Sequence, residues 1–285
     1  MKKIISVIMA VLMIATMCLS FTSCSDEKSD WEKVEENGKL VCGITIYAPM
    51  NYYDANGDLE ADITGDLVGF DTELAKLVGE KLGVEVEFKV IEWGNKYIEL
   101  NSGSIDCIWN GFTSNSKDDD GIERSEKVDF TYAYLDNAQC VVVKKSDLSM
   151  YTSSASLSGK KATAEAGSAG ESYAKSVTSA DKVSGVESQM NTFIQVKTGA
   201  VDFAVVDVLL AEEIVGKGTY SDLAIVEAIE IDKEVYSIGC RKDSDLDEKI
   251  NEALIELLNE GKIEELAEKY DVHVTSSLLE KKTAK

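Results

Sequence analysis

Between residues 39 and 113 two apolar periods alternate along the chain, and this alternation limits the possible folds more than any other feature. KLVCGITIYA (39–48) is one continuous apolar run with the length of a buried strand. GFDTELAKLVGEKLGV (69–84) then takes the helical period. Leu74, Leu77, Val78 and Leu82 share a face, Asp71 stands at a capping position, and Gly83 stops the helix. VEVEFKVI reads as a strand, GNKYIELNSG as a short helix with a stop, and SIDCIWNG as another strand. A strand–helix–strand order of this kind implies an α/β sheet with right-handed crossovers.

The pattern restarts downstream. KKATAEAG and AVDFAVVD read as strands, ESYAKSVT and VLLAEEIVGKG as helices, and EVYSIGCRK as a further strand. Residues 243–270 are amphipathic, with Leu246, Ile250, Leu254 and Leu257 at helical spacing and Gly261 separating a second helix. Two α/β units with a helical tail therefore account for the 285 residues, and there is no short-period repeat.

The N-terminus is a separate unit. Lys2 and Lys3 precede the apolar IISVIMAVLMIATMCLS, and FTSC sets small residues before Cys24, the layout of a secretory signal (1–23). Cys24 resembles the acylated cysteine of a bacterial lipobox, although Phe21 replaces the usual leucine; an uncleaved membrane anchor is the alternative. The remaining cysteines Cys42, Cys107, Cys140 and Cys240 sit singly in apolar runs, without CxxC spacing, so no metal site is expected. Buried strand thiols are the leading reading, and Cys140 with Cys240 is the candidate disulfide of an exported chain.

A net charge of -23 disfavours nucleic acid and anionic lipid and favours solubility. The single histidine, His273, lies beyond the last long helix, so a Ser-His-Asp or Cys-His arrangement is not expected, and no P-loop, GxGxxG or HExxH is present. The acidic run in NSKDDDGIERSEKVDF (115–130) fails as a calcium loop. Gly121 at position six would place Ser116 at position one and Lys127 at twelve.

Seven segments in order (ITIYAPM, LVGFDTELAKLVGEKLGVEVEF, LNSGSIDCIWNGFTSN, ERSEKVDFTYAY, LSGKKATAEAGSAGES, KTGAVDFAVVD and LNEGKIEELAEKY) resemble the bacterial extracellular solute-binding proteins of family 3, over roughly residues 38–272. The resemblance implies a two-lobed periplasmic-binding-protein-like clamp of type II, with two hinge strands near Tyr134–Ala138 and Glu234–Tyr236 and a discontinuous first lobe. The implied division is a lipidated tether (24–37), lobe 1 (38–135 plus 236–275), lobe 2 (136–235) and a C-terminal tail (276–285). SKDDDGI would be a surface insertion. The implied partners are a free amino acid, an ABC permease and its ATPase, with the membrane reached only through the lipid on Cys24. The implied protein is a monomer without cofactor, outside the cytoplasm on the outer face of the cell membrane or in the periplasm.

The resemblance also implies the site. Arg124, one of only two arginines, would grip the ligand carboxylate with its planar guanidinium; a surface salt bridge is the alternative. Asp207 would take the ammonium or cap the following helix. Tyr47 and Trp93 would cover the side chain, or pack in the core. Asn110, Gly111 and Thr113 would present polar atoms, and Ser168, Ala169 and Gly170 would offer N–H groups at a helix start, or form a plain turn. Glu165 disfavours an acidic ligand while Ile44 removes one anchor for a basic one. A polar amino acid, basic ones included, is the expected ligand. An exported dehydratase of the same fold acting on arogenate or prephenate, and a sensor subunit, are the alternatives.

Overall fold

The computed structural model describes residues 28–53, 65–118 and 120–282; the expected signal segment and Cys24 lie outside them. The first half comprises α1 (Asp30–Asn37), β1 (Lys39–Ile44), the short β2 (Tyr52–Tyr53) and β3 (Leu67–Val68), α2 (Phe70–Leu82) and β4 (Glu85–Val90). These are followed by α3 (Lys96–Asn101), β5 (Cys107–Thr113), α4 (Arg124–Lys127) and β6 (Asp129–Phe130). The long β7 (Leu135–Lys144) leads into β8 (Ala162–Glu165), α5 (Ala169–Val177), β9 (Val183–Val186), α6 (Gln189–Thr198), β10 (Phe203–Asp207), α7 (Val208–Ile214) and β11 (Leu223–Ile225). β12 (Lys233–Cys240) then returns, followed by α8 (Leu246–Asn259), α9 (Lys262–Tyr270) and α10 (Ser276–Leu279).

The strand order β4-β1-β5-β12-β7-β10-β8-β9 has two similar halves. In each, three parallel strands are edged by one long antiparallel strand, β12 in the first half and β7 in the second. β12 and β7 pair only over Lys233–Tyr236 against Leu135–Ala138, so these eight residues carry the chain between the lobes. This is the two-lobed type II clamp, and the two strands are its hinge. α8 and α9 pack back on α2, with Leu246, Ile250, Leu254 and Leu257 buried, so the first lobe is discontinuous. Each such buried leucine or isoleucine contributes about 1.5–3 kcal/mol of transfer free energy.

Local differences from the sequence expectations have physical causes. Gly69, not Asp71, occupies the N-cap of α2; Asp71 is inside the first turn and buried. Residues 30–37, expected to be tether, form a capped helix whose Val34 is buried on the first lobe. In the expected tail, Leu278 is buried, and just before it Thr275 donates its N–H to the Tyr134 carbonyl at 3.2 Å. Cys140 and Cys240 do not pair. Cys140 lies opposite Val206 in the second lobe, and Cys240 lies opposite Cys107 in the first. All four described cysteines are free and buried. Cys42, Cys107 and Cys240 form a row across three adjacent strands, with the first two sulfurs 3.6 Å apart. No helix among the described residues is long and apolar enough to cross a membrane.

Candidate functional site

The strands end at the seam between the lobes, where α/β sheets place their ligands. A small cavity there is lined by Trp93, Asn110, Gly111, Thr113 and Arg124 from the first lobe and by Glu165, Ser168, Ala169, Gln189 and Asp207 from the second, with Gln139 on a hinge strand. Its free volume is ≈ 20 Å³, room for about one water molecule. Any larger guest enters only when the lobes or these side chains move.

Arg124 begins α4 and is 1% exposed. Its Nε donates to Asp118 Oδ1 at 3.0 Å, Nη1 to the Thr113 carbonyl at 3.0 Å and Nη2 to the Gly167 carbonyl at 3.4 Å. The guanidinium lies 5.1 Å from the centroid of the Phe112 ring. Three of its five N–H groups are thus occupied, and two have no partner among the described residues. The SKDDDGI segment is therefore more than a surface insertion. Asp120, Gly121 and Ile122 are exposed, but the Asp118 side chain is 9% exposed and orients the arginine. Burial opposes the charge of Asp118, yet the neighbouring Tyr97 hydroxyl, the Arg124 charge and the Lys127 ammonium hold its carboxyl below the usual range.

Carboxyl groups gather opposite the guanidinium. Asp207 closes β10 directly across from Gln139, and Glu234 on β12 sits directly across from Asn137. Asn137 and Gln139, two residues apart on one strand, face the same way. Asn137 Nδ2 reaches Asp207 Oδ1 at 2.8 Å and Glu234 Oε2 at 3.3 Å. Gln139 Nε2 reaches the same two atoms at 2.6 and 2.9 Å. Gln189 Nε2 bonds Asp207 Oδ2, and its Oε1 accepts the Asp207 N–H at 2.9 Å. Asp207 occupies the N-cap position of α7 but makes no side-chain cap bond; its carboxylate is spent on these amides.

Glu165, at the end of β8, is 3% exposed, and no donor among the described residues bonds its carboxyl. Burial, then the Asp207 charge, push it up to about 8. Burial and Asp207 likewise push Glu234 up to about 7, and burial raises Asp207 despite its amide donors.

The remaining expected residues divide. Trp93 lines the cavity and also packs edge-on against Phe112, centroids 5.2 Å apart, so it serves site and core together. Asn110 shows the cavity little of its amide: Oδ1 accepts from Thr45 N at 2.6 Å and Asn51 Nδ2 at 3.0 Å, and Nδ2 donates to Thr45 Oγ1 at 2.6 Å. Ser168 caps α5, its Oγ accepting from Glu171 N at 3.0 Å. Tyr47 and Gly170 do not line the cavity. The Tyr47 ring borders a separate interlobe groove of ≈ 310 Å³, and Gly170 packs tightly on the Val205 carbonyl. Gln139, Gln189, Asn137 and Glu234 were not expected. The only sequence signal of Asn137, Gln139 and Glu234 is a polar side chain inside or beside an apolar strand, and Gln189, at the start of α6, has none.

The family model of bacterial extracellular solute-binding proteins, family 3, matches residues 40–273. The chain belongs to that family. L-cystine-binding protein TcyJ of Escherichia coli (strain K12) is 28% identical over 265 residues, covering 92% of each chain. Arginine-binding extracellular protein ArtP of Bacillus subtilis (strain 168) is 27% identical, over 91% of this chain and 96% of its own. Among solved structures, an ABC uptake transporter substrate-binding protein from Streptococcus pneumoniae with bound histidine superposes with a TM-score of 0.73 at 30% identity, over 85% of this chain and 96% of that one. Members of family 3 are extracytoplasmic solute-binding proteins, and the relatives named here are binding proteins rather than enzymes.

Proposed function

We propose that the chain is the lipid-anchored substrate-binding subunit of an ABC importer, which captures a polar amino acid, basic ones included, by lobe closure and delivers it to a membrane permease and its ATPase. The observation that carries this reading is the polarity of the cavity. A buried guanidinium with two spare N–H groups faces the carboxyls of Asp207 and Glu165 across the seam between the lobes. A zwitterion with carboxylate toward Arg124 and ammonium toward Asp207 matches that arrangement group for group. Trp93 would cover the side chain, with Thr113, Ser168 and Ala169 supplying polar contacts. Glu165, desolvated and without a donor, disfavours an acidic side chain and suits one that brings N–H groups. The named relatives of known ligand take cystine, arginine and histidine, which supports this class. Lipidation at Cys24, a monomeric state and lobe limits at 135/136 and 235/236 belong to the same reading.

The test is a thermal-shift panel of the twenty common L-amino acids and L-cystine, since a ligand held by the folded state raises its melting temperature. A polar or basic amino acid should give the largest shift, and selectivity for aspartate or glutamate would overturn the ligand class. Arg124→Ala should weaken binding by about 2–5 kcal/mol in calorimetry, as for a buried charge pair that loses one partner.

A further inference from the structure

Lys96 opens α3 at the lobe seam and is 2% exposed, an unusual position for an ammonium. Its Nζ donates to the Trp93 carbonyl at 3.4 Å and, across the cleft, to the Gly167 carbonyl of the second lobe at 3.1 Å. It lies 4.8 Å from the Trp93 ring centroid and 4.7 Å from that of Tyr97. Gly167 has φ +72°, and a Cβ there would stand 3.4 Å from Gly94 Cα and 3.5 Å from Lys96 Nζ, so two glycine backbones meet where the lysine crosses. The same carbonyl receives Arg124 Nη2 at 3.4 Å. One carbonyl of lobe 2 therefore takes two donors from lobe 1.

We propose that Lys96 is a latch of the closed clamp, a positioning residue whose amine docks on the Gly167 carbonyl and slows reopening once an amino acid is held. The proposal rests on the amino-acid reading given above. The contact exists only while the lobes meet, so its free energy favours the closed state alone, which is what differential stabilisation requires. Burial, then repulsion by Arg124, bring the Lys96 amine down to about 7, with Lys127 acting in the same direction and the Asp118 and Glu165 carboxylates opposing. A neutral amine still donates to a carbonyl, so the latch does not depend on the charge.

The test uses the full chain, with the amino acid among the twenty common ones and L-cystine that binds it most tightly, in stopped-flow binding of the wild type, Lys96→Met and Lys96→Arg. Lys96→Met should raise the dissociation rate on the order of tenfold, as loss of one buried hydrogen bond implies, with the association rate unchanged. Lys96→Arg, which keeps a donor, should restore slow release. A merely structural lysine would lower the melting temperature of the unliganded protein and leave both rates alone; that result, or unchanged rates with unchanged stability, overturns the latch. If none of the amino acids binds the wild type, the amino-acid reading falls and the latch with it.

Discussion

At Gly111 a Cβ would fall inside the van der Waals shell of the Tyr47 hydroxyl and 2.9 Å from the Tyr236 ring, on a backbone with φ +54°. Gly111→Ala should therefore destabilise the protein by about 1–3 kcal/mol from the backbone alone, and by more from the clash. Tyr47→Phe on that background removes the obstructing oxygen and should recover only the Tyr47 part of the clash, leaving the Tyr236 contact and the backbone strain; urea unfolding of the single and double variants measures the recovered part. The Gly111 N–H is fixed by Asp71 Oδ2 at 2.8 Å, while Asp71 Oδ1 accepts the Tyr134 hydroxyl at 2.7 Å. Burial pushes Asp71 up to about 7, partly offset by these two bonds. In the sequence Asp71 looks like a helix cap because its immediate neighbours are all that local grammar can see. Its real partners lie 40 and 63 positions away. Arg124 was legible for the opposite reason: a scarce residue type at a motif position carries its own signal.

α1 is held by polar contacts as well as by Val34 in the core. Trp31 N donates to Asp245 Oδ1 at 3.0 Å, and Arg241 Nε bonds Asp30 Oδ2 at 2.7 Å while Nη1 reaches the Leu100 and Ile105 carbonyls at 3.1 and 2.8 Å. Arg241→Met should cost about 1.5–3 kcal/mol, as for hydrogen bonds to a charged group, and should speed hydrogen exchange of amides 30–37 before those of α2. DWEKVEEN carries one fully buried residue, Val34, so it offers the helical period almost nothing to register, and it read as tether. α2 and α8 present several apolar side chains on one face, and both were legible. The hinge strand β7 shows the limit of such patterns. The apolar run around Cys140 suggests a buried strand, but which strand Asn137 and Gln139 will face is decided by register, which no local pattern contains.

Closing the two lobes places Glu165 in a desolvated seam, and the pH response of the whole molecule follows. Its carboxyl is raised from an ordinary 4.5 to about 8, first by burial and then by Asp207. A raised carboxyl contributes its stability fully below the unfolded value and loses it as pH climbs through the folded value. Between about pH 5 and 8 the wild type should thus lose melting stability relative to Glu165→Gln, by at most about 1.4 kcal/mol per pH unit. Lys96 acts with the opposite sign: its lowered amine adds stability only as pH rises beyond about 7. Parallel pH scans of the two proteins check the difference, and coincident curves would refute it. The row of Cys42, Cys107 and Cys240, with Cys140 in the other lobe, has a practical consequence for watching the clamp move. Every described thiol is sealed in a core strand, its access blocked. In a chain begun at Lys28, which leaves out Cys18 and Cys24, a cysteine introduced on the surface of each lobe would be the pair that a maleimide dye or spin label reaches, and opening could be followed as a distance without replacing any of the four buried cysteines.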